Sequence, residues 1–234
     1  MLISKRTLDS VIPFAGKDDV RDILNGIRLE SSGKLIATDG HMLGIFTPGA
    51  PLPDTDFPNV GQLEGDQPPL EPCTLAIDGI QTLAKAIPKK NKMPIVKHAL
   101  LDHAASNANG KAVFHVTDLD NPQRVNVAKL DGNFPQYDQV LPKDEPVYRM
   151  ALDAALLSRL IKAADAVRSD NDMTLIEFEF FASHSSPLRA TVTNKDGDTL
   201  TAVVMPLSSK CIDNKKIGLL IPHIAEPVRS EIAS

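Results

Sequence analysis

The chain has 234 residues, 42% hydrophobic and 24% charged, which is enough apolar material for one large domain or two small ones and too much for a disordered chain. Its 25 Lys and Arg stand against 30 Asp and Glu, a net charge of -5, which excludes non-specific nucleic-acid binding by the whole surface and leaves only local basic patches. No apolar run approaches the ~18 residues of a membrane span, and the opening Met1-Leu2-Ile3-Ser4-Lys5-Arg6 holds no signal-peptide core, so a soluble, cytoplasmic protein with no membrane partner is expected.

In chain order, the apolar periodicity reads as one unit used three times: a strand, an amphipathic helix, then two or three strands joined by hairpins. In the first pass, Leu8, Val11, Ile12 and Ala15 predict a helix over 4–15 that Pro13 must shorten or kink. Strands are predicted over 23–30, 34–38 and 42–47, with turns at Ser31-Ser32-Gly33 and Asp39-Gly40. Residues 48–72, rich in proline, read as an extended surface connection.

The second pass predicts a strand over 73–77, a helix over 79–87 stopped by Pro88, and strands over 95–105, 111–117 and 124–130. The third predicts a strand over 147–152, then a helix over 154–167, where Leu156, Leu157, Leu160, Ile161 and Ala164 make one broad apolar face. Strands over 174–181, 188–193 and 200–206 follow, the last two joined by Asn194-Lys195-Asp196-Gly197. The tail beyond residue 207 has one apolar run, 217–221, and is otherwise polar. Cys73 and Cys211 stand far apart without a C-x-x-C pair and are expected to be free, reduced thiols.

Three segments carry a family resemblance. Asp19-Val20-Arg21-Asp22-Ile23-Leu24-Asn25-Gly26 followed by Ala37-Thr38-Asp39-Gly40-His41-Met42-Leu43 is one. Asp131-Gly132-Asn133-Phe134-Pro135-Gln136-Tyr137-Asp138-Gln139-Val140-Leu141-Pro142 is the second, and Ala202-Val203-Val204-Met205-Pro206-Leu207 the third. In this order they resemble the T-D-G-H-R-L, G-R-F-P-D-Y-R-R-V-L-P and Y-V-V-M-P-M-R-L segments of the bacterial DNA polymerase III β subunit, the sliding clamp. The resemblance implies an α+β DNA-clamp fold of repeated strand-helix-strand units with antiparallel sheets. It implies a domain over 1–142 similar to the clamp's central domain, a half domain over 143–207 similar to the end of its last domain, and a tail over 208–234. A ring of roughly twelve helix-bearing units would take about four such chains, a homo-oligomer closed by complementary edges.

The same resemblance implies a groove that accepts short peptides from DNA polymerase, the clamp loader and repair proteins. By position its lining here is Leu24, Thr38, Gly40, His41, Met42, Leu43, Pro135, Gln139, Val140, Val203, Met205, Pro206 and Leu207. An apolar surface with adaptable methionines and rigid prolines suits leucine or phenylalanine anchors, while the competing reading of these side chains is ordinary core. Met42 and Gln139 replace family arginines, and Ser208-Ser209 follow Leu207 where the family has Arg-Leu, which removes guanidinium donors and alters partner preference.

The resemblance further implies non-specific contact with double-stranded DNA by basic helix residues, here Lys85, Lys89, Lys90, Lys92, Arg159, Lys162 and Arg168. The competing reading is a solvated helix face. Enzymatic signals are poor: Asp39-Gly40-His41 is read as a hairpin turn before a metal or acid–base site, the other five histidines form no H-E-x-x-H spacing, and no G-x-x-x-x-G-K-[ST] loop exists. The expectation is a non-enzymatic scaffolding or processivity factor that needs no cofactor or metal. The alternative is a non-ring regulator that binds clamp partners without encircling DNA.

Overall fold

The computed structural model describes residues 1–17, 20–49, 57–58, 68–88, 94–108, 110–144, 150–167, 174–181 and 187–206. The chain divides into two compact units, residues 1–142 (unit 1) and residues from 143 onward (unit 2). Antiparallel sheets with a few packed helices make it an α+β fold, as the sequence predicts.

Unit 1 runs β1 (Leu2–Ser4), α1 (Lys5–Val11), β2 (Gly26–Leu29), β3 (Leu35–Thr38), β4 (Leu43–Phe46), β5 (Cys73–Ala76), α2 (Ile77–Ala86), β6 (His98–Asp102), α3 (His103–Ala108), β7 (Lys111–Thr117) and β8 (Pro122–Leu130). The element order strand, helix, three strands therefore occurs twice, with α3 inserted in the second repeat. One eight-stranded sheet results, in the order β1-β6-β7-β8-β5-β2-β3-β4. The repeats exchange their leading strands: β1 pairs with β6 of the second repeat, and β5 pairs with β2 of the first as well as with β8 of its own.

The helices form because their apolar residues recur at helical spacing. Leu8 and Val11 from α1, with Ile80, Leu83 and Ala84 from α2 and Ile87 just beyond it, are buried against Ile27, Leu29, Leu75, Leu101, Phe114 and Val127 of the sheet. Ser4 starts α1 as its N-cap, its Oγ accepting from the Thr7 amide at 3.0 Å, which satisfies one otherwise orphaned donor. Pro13 ends the α-helix at Val11, and Ile12–Phe14 continue as a 3-10 turn. That turn brings the Phe14 ring against β4, where only a glycine fits: a Cβ on Gly44 would lie 2.4 Å from Phe14 Cδ2.

Unit 2 holds α4 (Ala154–Val167), β9 (Glu177–Glu179), β10 (Leu188–Thr193) and β11 (Thr199–Val204), with a three-stranded sheet in the order β11-β10-β9. Its core is small: Leu160, Leu188, Ala190 and Val204 are buried, with Met150, Leu152, Leu156, Ile176 and Ala202 packed around them. The β10–β11 turn is fastened by Asn194, whose Oδ1 accepts from the amides of Asp196 and Asp198 at 3.0 and 2.8 Å. Arg189 of β10 holds β9 through Nη2 donating to Glu179 Oε1 at 2.6 Å, and its guanidinium lies 5.6 Å from the Phe181 ring centre.

Several predicted boundaries shift for identifiable reasons. The strand expected over 23–30 begins only at Gly26, because Asp22–Asn25 form a 3-10 turn tied down by the Gly16 amide donating to the Leu24 carbonyl at 2.8 Å. The strand expected over 95–105 is confined to β6. Pro94–Lys97 are a 3-10 turn before it, and α3 follows because the Asp102 carboxylate accepts from the Ala105 amide at 2.9 Å and caps an alanine-rich turn. β1 takes Leu2–Ser4, ahead of a helix that begins at Lys5 and not at residue 4, and the strand expected over 174–181 shrinks to β9. Of the strand expected over 147–152, residues 150–152 are not strand and the rest lies outside the described residues, as does the tail from residue 207.

Candidate peptide-binding and DNA-facing residues

The turn from Thr38 to Leu43 is built by its own side chains. Asp39 Oδ1 accepts from the amides of His41 at 2.8 Å and Met42 at 2.7 Å. Thr38 Oγ1 donates to the Met42 carbonyl at 2.6 Å and accepts from the Gly40 amide at 3.1 Å. Gly40 sits at φ +91°, a left-handed conformation that a side chain would strain. The bonds to Met42 and His41 hold the Asp39 carboxyl below its ordinary range, so this carboxylate is committed to shaping the turn and not to acid–base work. The turn projects His41 and Met42 outward, Met42 being 56% exposed, while Leu43 is half-buried at the start of β4. Thr38 is buried by its two bonds, and Leu24 is buried at 3% exposure.

The closing segment of unit 1 forms a 3-10 turn, Tyr137–Gln139, after Gly132 at φ +121°. Val140 N donates to the Tyr137 carbonyl at 3.1 Å, and Gln139 Nε2 donates to Gln136 Oε1. Its anchor is Tyr137, whose hydroxyl donates to Glu30 Oε1 at 2.8 Å across 107 residues of sequence. The bond to the Glu30 carboxylate, followed by desolvation, pushes the phenol up to about 12. A shallow depression lies beside this latch, lined by Arg28, Glu30, Phe134, Pro135, Tyr137 and Gln139 among others. Pro135, Gln139 and Val140 are exposed. Tyr137 and Glu30 escape sequence reasoning, since nothing at either position marks a partner more than a hundred residues away.

In unit 2, alternation along β11 separates the predicted residues. Val204 is buried in the core while Val203 and Met205 are each 60% exposed, and Pro206 is half-buried. Leu207 lies outside the described residues. The buried reading therefore fits Leu24, Thr38 and, in part, Leu43 and Pro206, whereas Met42, Val140, Val203 and Met205 are apolar side chains that packing does not bury.

Of the basic residues, Lys85 is exposed in the last turn of α2, and Arg159 and Lys162 are exposed on α4. Lys89, Lys90, Lys92 and Arg168 lie outside the described residues. The solvent-facing side of α1 and α2 also carries Arg6, Asp9 and Asp78, and Asp9 is paired with Lys5 at 3.5 Å. Among the described residues no group of three His, Cys, Asp or Glu is placed to hold a metal ion, and no helix is long and apolar enough to cross a membrane. Cys73 is a free, half-buried thiol whose pKa burial raises, which lowers its reactivity.

No protein-family model and no curated protein matches the chain. Solved structures do. A sliding clamp (DNA polymerase III subunit β) from Pseudomonas aeruginosa bound to griselimycin is 20% identical, with 88% of this chain covering 49% of that one at a TM-score of 0.61. The Bacillus subtilis sliding clamp is 13% identical, with 88% covering 48% at 0.63, and a C. crescentus β sliding clamp is 17% identical, with 88% covering 50% at 0.63. The chain thus spans about half the length of the solved clamps it matches, and over that span it has the sliding-clamp fold.

Proposed function

We propose that the chain is a DNA-associated, non-enzymatic scaffolding or processivity factor that binds replication and repair proteins through short peptides. The observation that carries this reading is that apolar side chains at the positions matching the clamp peptide groove stay exposed on each unit, Met42 and Val140 on unit 1 and Val203 and Met205 on unit 2. An exposed Met or Val is ordinary singly. Two on each unit, set on a glycine turn and a latched 3-10 turn in unit 1 and at the end of β11 in unit 2, give each unit by itself an adaptable apolar surface of the kind that leucine or phenylalanine anchors require. The clamp fold supports the same reading, as does the ligand bound to the P. aeruginosa clamp.

Burying roughly 100 Å² of anchor contributes on the order of 2 to 3 kcal/mol, which with backbone hydrogen bonds gives micromolar affinity. Titrating a consensus clamp-binding peptide against wild type, Met42→Asp and Met205→Asp tests it. Each variant is expected to bind at least ~10-fold more weakly because the anchor meets an unpaired charge. Absence of wild-type binding, or equal affinity for all three proteins, defeats the site. A second reading, a regulator that binds clamp partners away from DNA, is favoured by the carboxylates Asp9 and Asp78, which are exposed on α1 and α2 alongside Arg6 and Lys85.

A further inference from the structure

In unit 1 two repeats complete each other. α1 packs on α2, Lys5 Nζ of α1 donates to the Ala84 carbonyl of α2, and β1 of one repeat pairs with the outer edge of β6 in the other. Unit 2 has a single repeat among its described residues: α4, β9, β10 and β11 follow the order of α2, β6, β7 and β8. The helices match in detail. α2 buries Ile80, Leu83 and Ala84, with Ile87 just beyond it, and the same spacing in α4 falls on Leu157, Leu160, Ile161 and Ala164.

Leu160 and Ala164 are buried as expected. Ile161, however, takes the position of Ala84, whose carbonyl accepts from Lys5 of the neighbouring helix in unit 1, and is 57% exposed where Ala84 is 4% exposed. The sheet shows the same deficit. α4 packs over β11 and β10, and Phe178 of β9 pairs in register with Ala190 on that helix-covered face. Yet Phe178 is 43% exposed, whereas Leu101, on the equivalent strand β6, is 1% exposed. On the side of β9 away from β10, where β6 receives β1, no strand pairs among the described residues.

We propose that unit 2 is half of a two-fold domain completed by unit 2 of a second copy of this chain, with Ile161 of α4, Phe178 and the outer edge of β9 at the interface. The occupant follows from unit 1, where, among the described residues, α2 and the outer edge of β6 are covered by α1 and β1 of the other repeat. A two-fold axis between copies would take the place of the internal duplication, giving an isologous contact in which each copy's Ile161 and Phe178 meet the other's α4 and sheet. The inference stands apart from the peptide and DNA readings.

Light scattering and sedimentation equilibrium on the full chain at micromolar concentration test it. The wild type is expected at twice 25.3 kDa, dissociating on dilution. Ile161→Glu and Phe178→Asp are each expected to give the single-chain mass with unchanged far-ultraviolet circular dichroism. Ile161 is more than half exposed, so its variant folds even if Phe178→Asp does not. The double variant Leu219→Asp with Leu220→Asp, in the apolar run of the tail, is expected to leave the dimer intact. A monomeric wild type overturns the proposal, as does a dimer indifferent to Ile161→Glu. Dissociation by the tail variant overturns it too, by making the tail the element that covers this face.

Discussion

Replacing Tyr137 by phenylalanine removes one hydroxyl and leaves the ring, so it isolates the bond to Glu30 that fastens the closing turn of unit 1 to the end of β2. A hydrogen bond to a charged acceptor contributes ~1.5 to 3 kcal/mol when sheltered, and with both groups partly open to solvent about 1 kcal/mol is expected here. With a urea dependence of about 2 kcal/mol per M, that lowers the denaturation midpoint of unit 1 by roughly 0.5 M at unchanged slope. The effect depends on pH in a defined direction. Folding raises the phenol from 10.0 to about 12, so the neutral, donating form is the one the fold stabilises. The advantage of wild type over Tyr137→Phe is therefore complete below pH 10 and is lost as pH rises from 10 to 12. A cycle with Glu30→Ala should show a coupling of about 1 kcal/mol. Additive losses, or an advantage undiminished at pH 12, would place the stabilisation in ring packing and refute the latch.

Gly44→Ala drives a methyl into the Phe14 ring and should cost ~1 to 3 kcal/mol in urea unfolding, the range for overpacked sites; a neutral result means that Phe14 moves away freely. The triple variant Lys85→Glu, Arg159→Glu and Lys162→Glu should abolish weak, sequence-independent DNA binding, whose logarithm in the wild type falls with log salt by about 0.9 per phosphate neutralised. A wild type that fails to bind DNA at low salt, even with a clamp loader present, shifts the function to the regulator.

Long periodic segments are legible in the sequence alone. Leu156 to Ala164 predict α4 because several apolar positions agree on one face, and β10 matches its predicted bounds because both flanks carry turn residues. Short elements are not. β1 is three residues long and draws its stability from pairing with β6 almost a hundred residues away, a partner that no local window contains. α3 was hidden in an apolar run, although Asp102 followed by alanines is a readable cap once a helix is considered. At the candidate site, sequence marks Leu24, Met42 and Met205 as equally apolar. Burial separates them: Met205, just past β11, is exposed next to the buried Val204, the Asp39 turn lifts Met42, and the 3-10 turn buries Leu24.

The exchange of leading strands has a consequence for how the protein is made. Leu2 pairs with Leu100, so a ribosome must add about a hundred more residues before the first strand finds its neighbour, a delay on the order of 5 to 20 s at ordinary synthesis rates. Throughout that interval Leu8 and Val11 of α1 lack the α2 and β6 surfaces that later cover them. The nascent chain consequently carries an uncovered apolar helix and an unmated strand, the features that chaperones bind. Slowing translation should prolong that exposure, whereas folding of the finished chain from denaturant is limited instead by closing the same long loop.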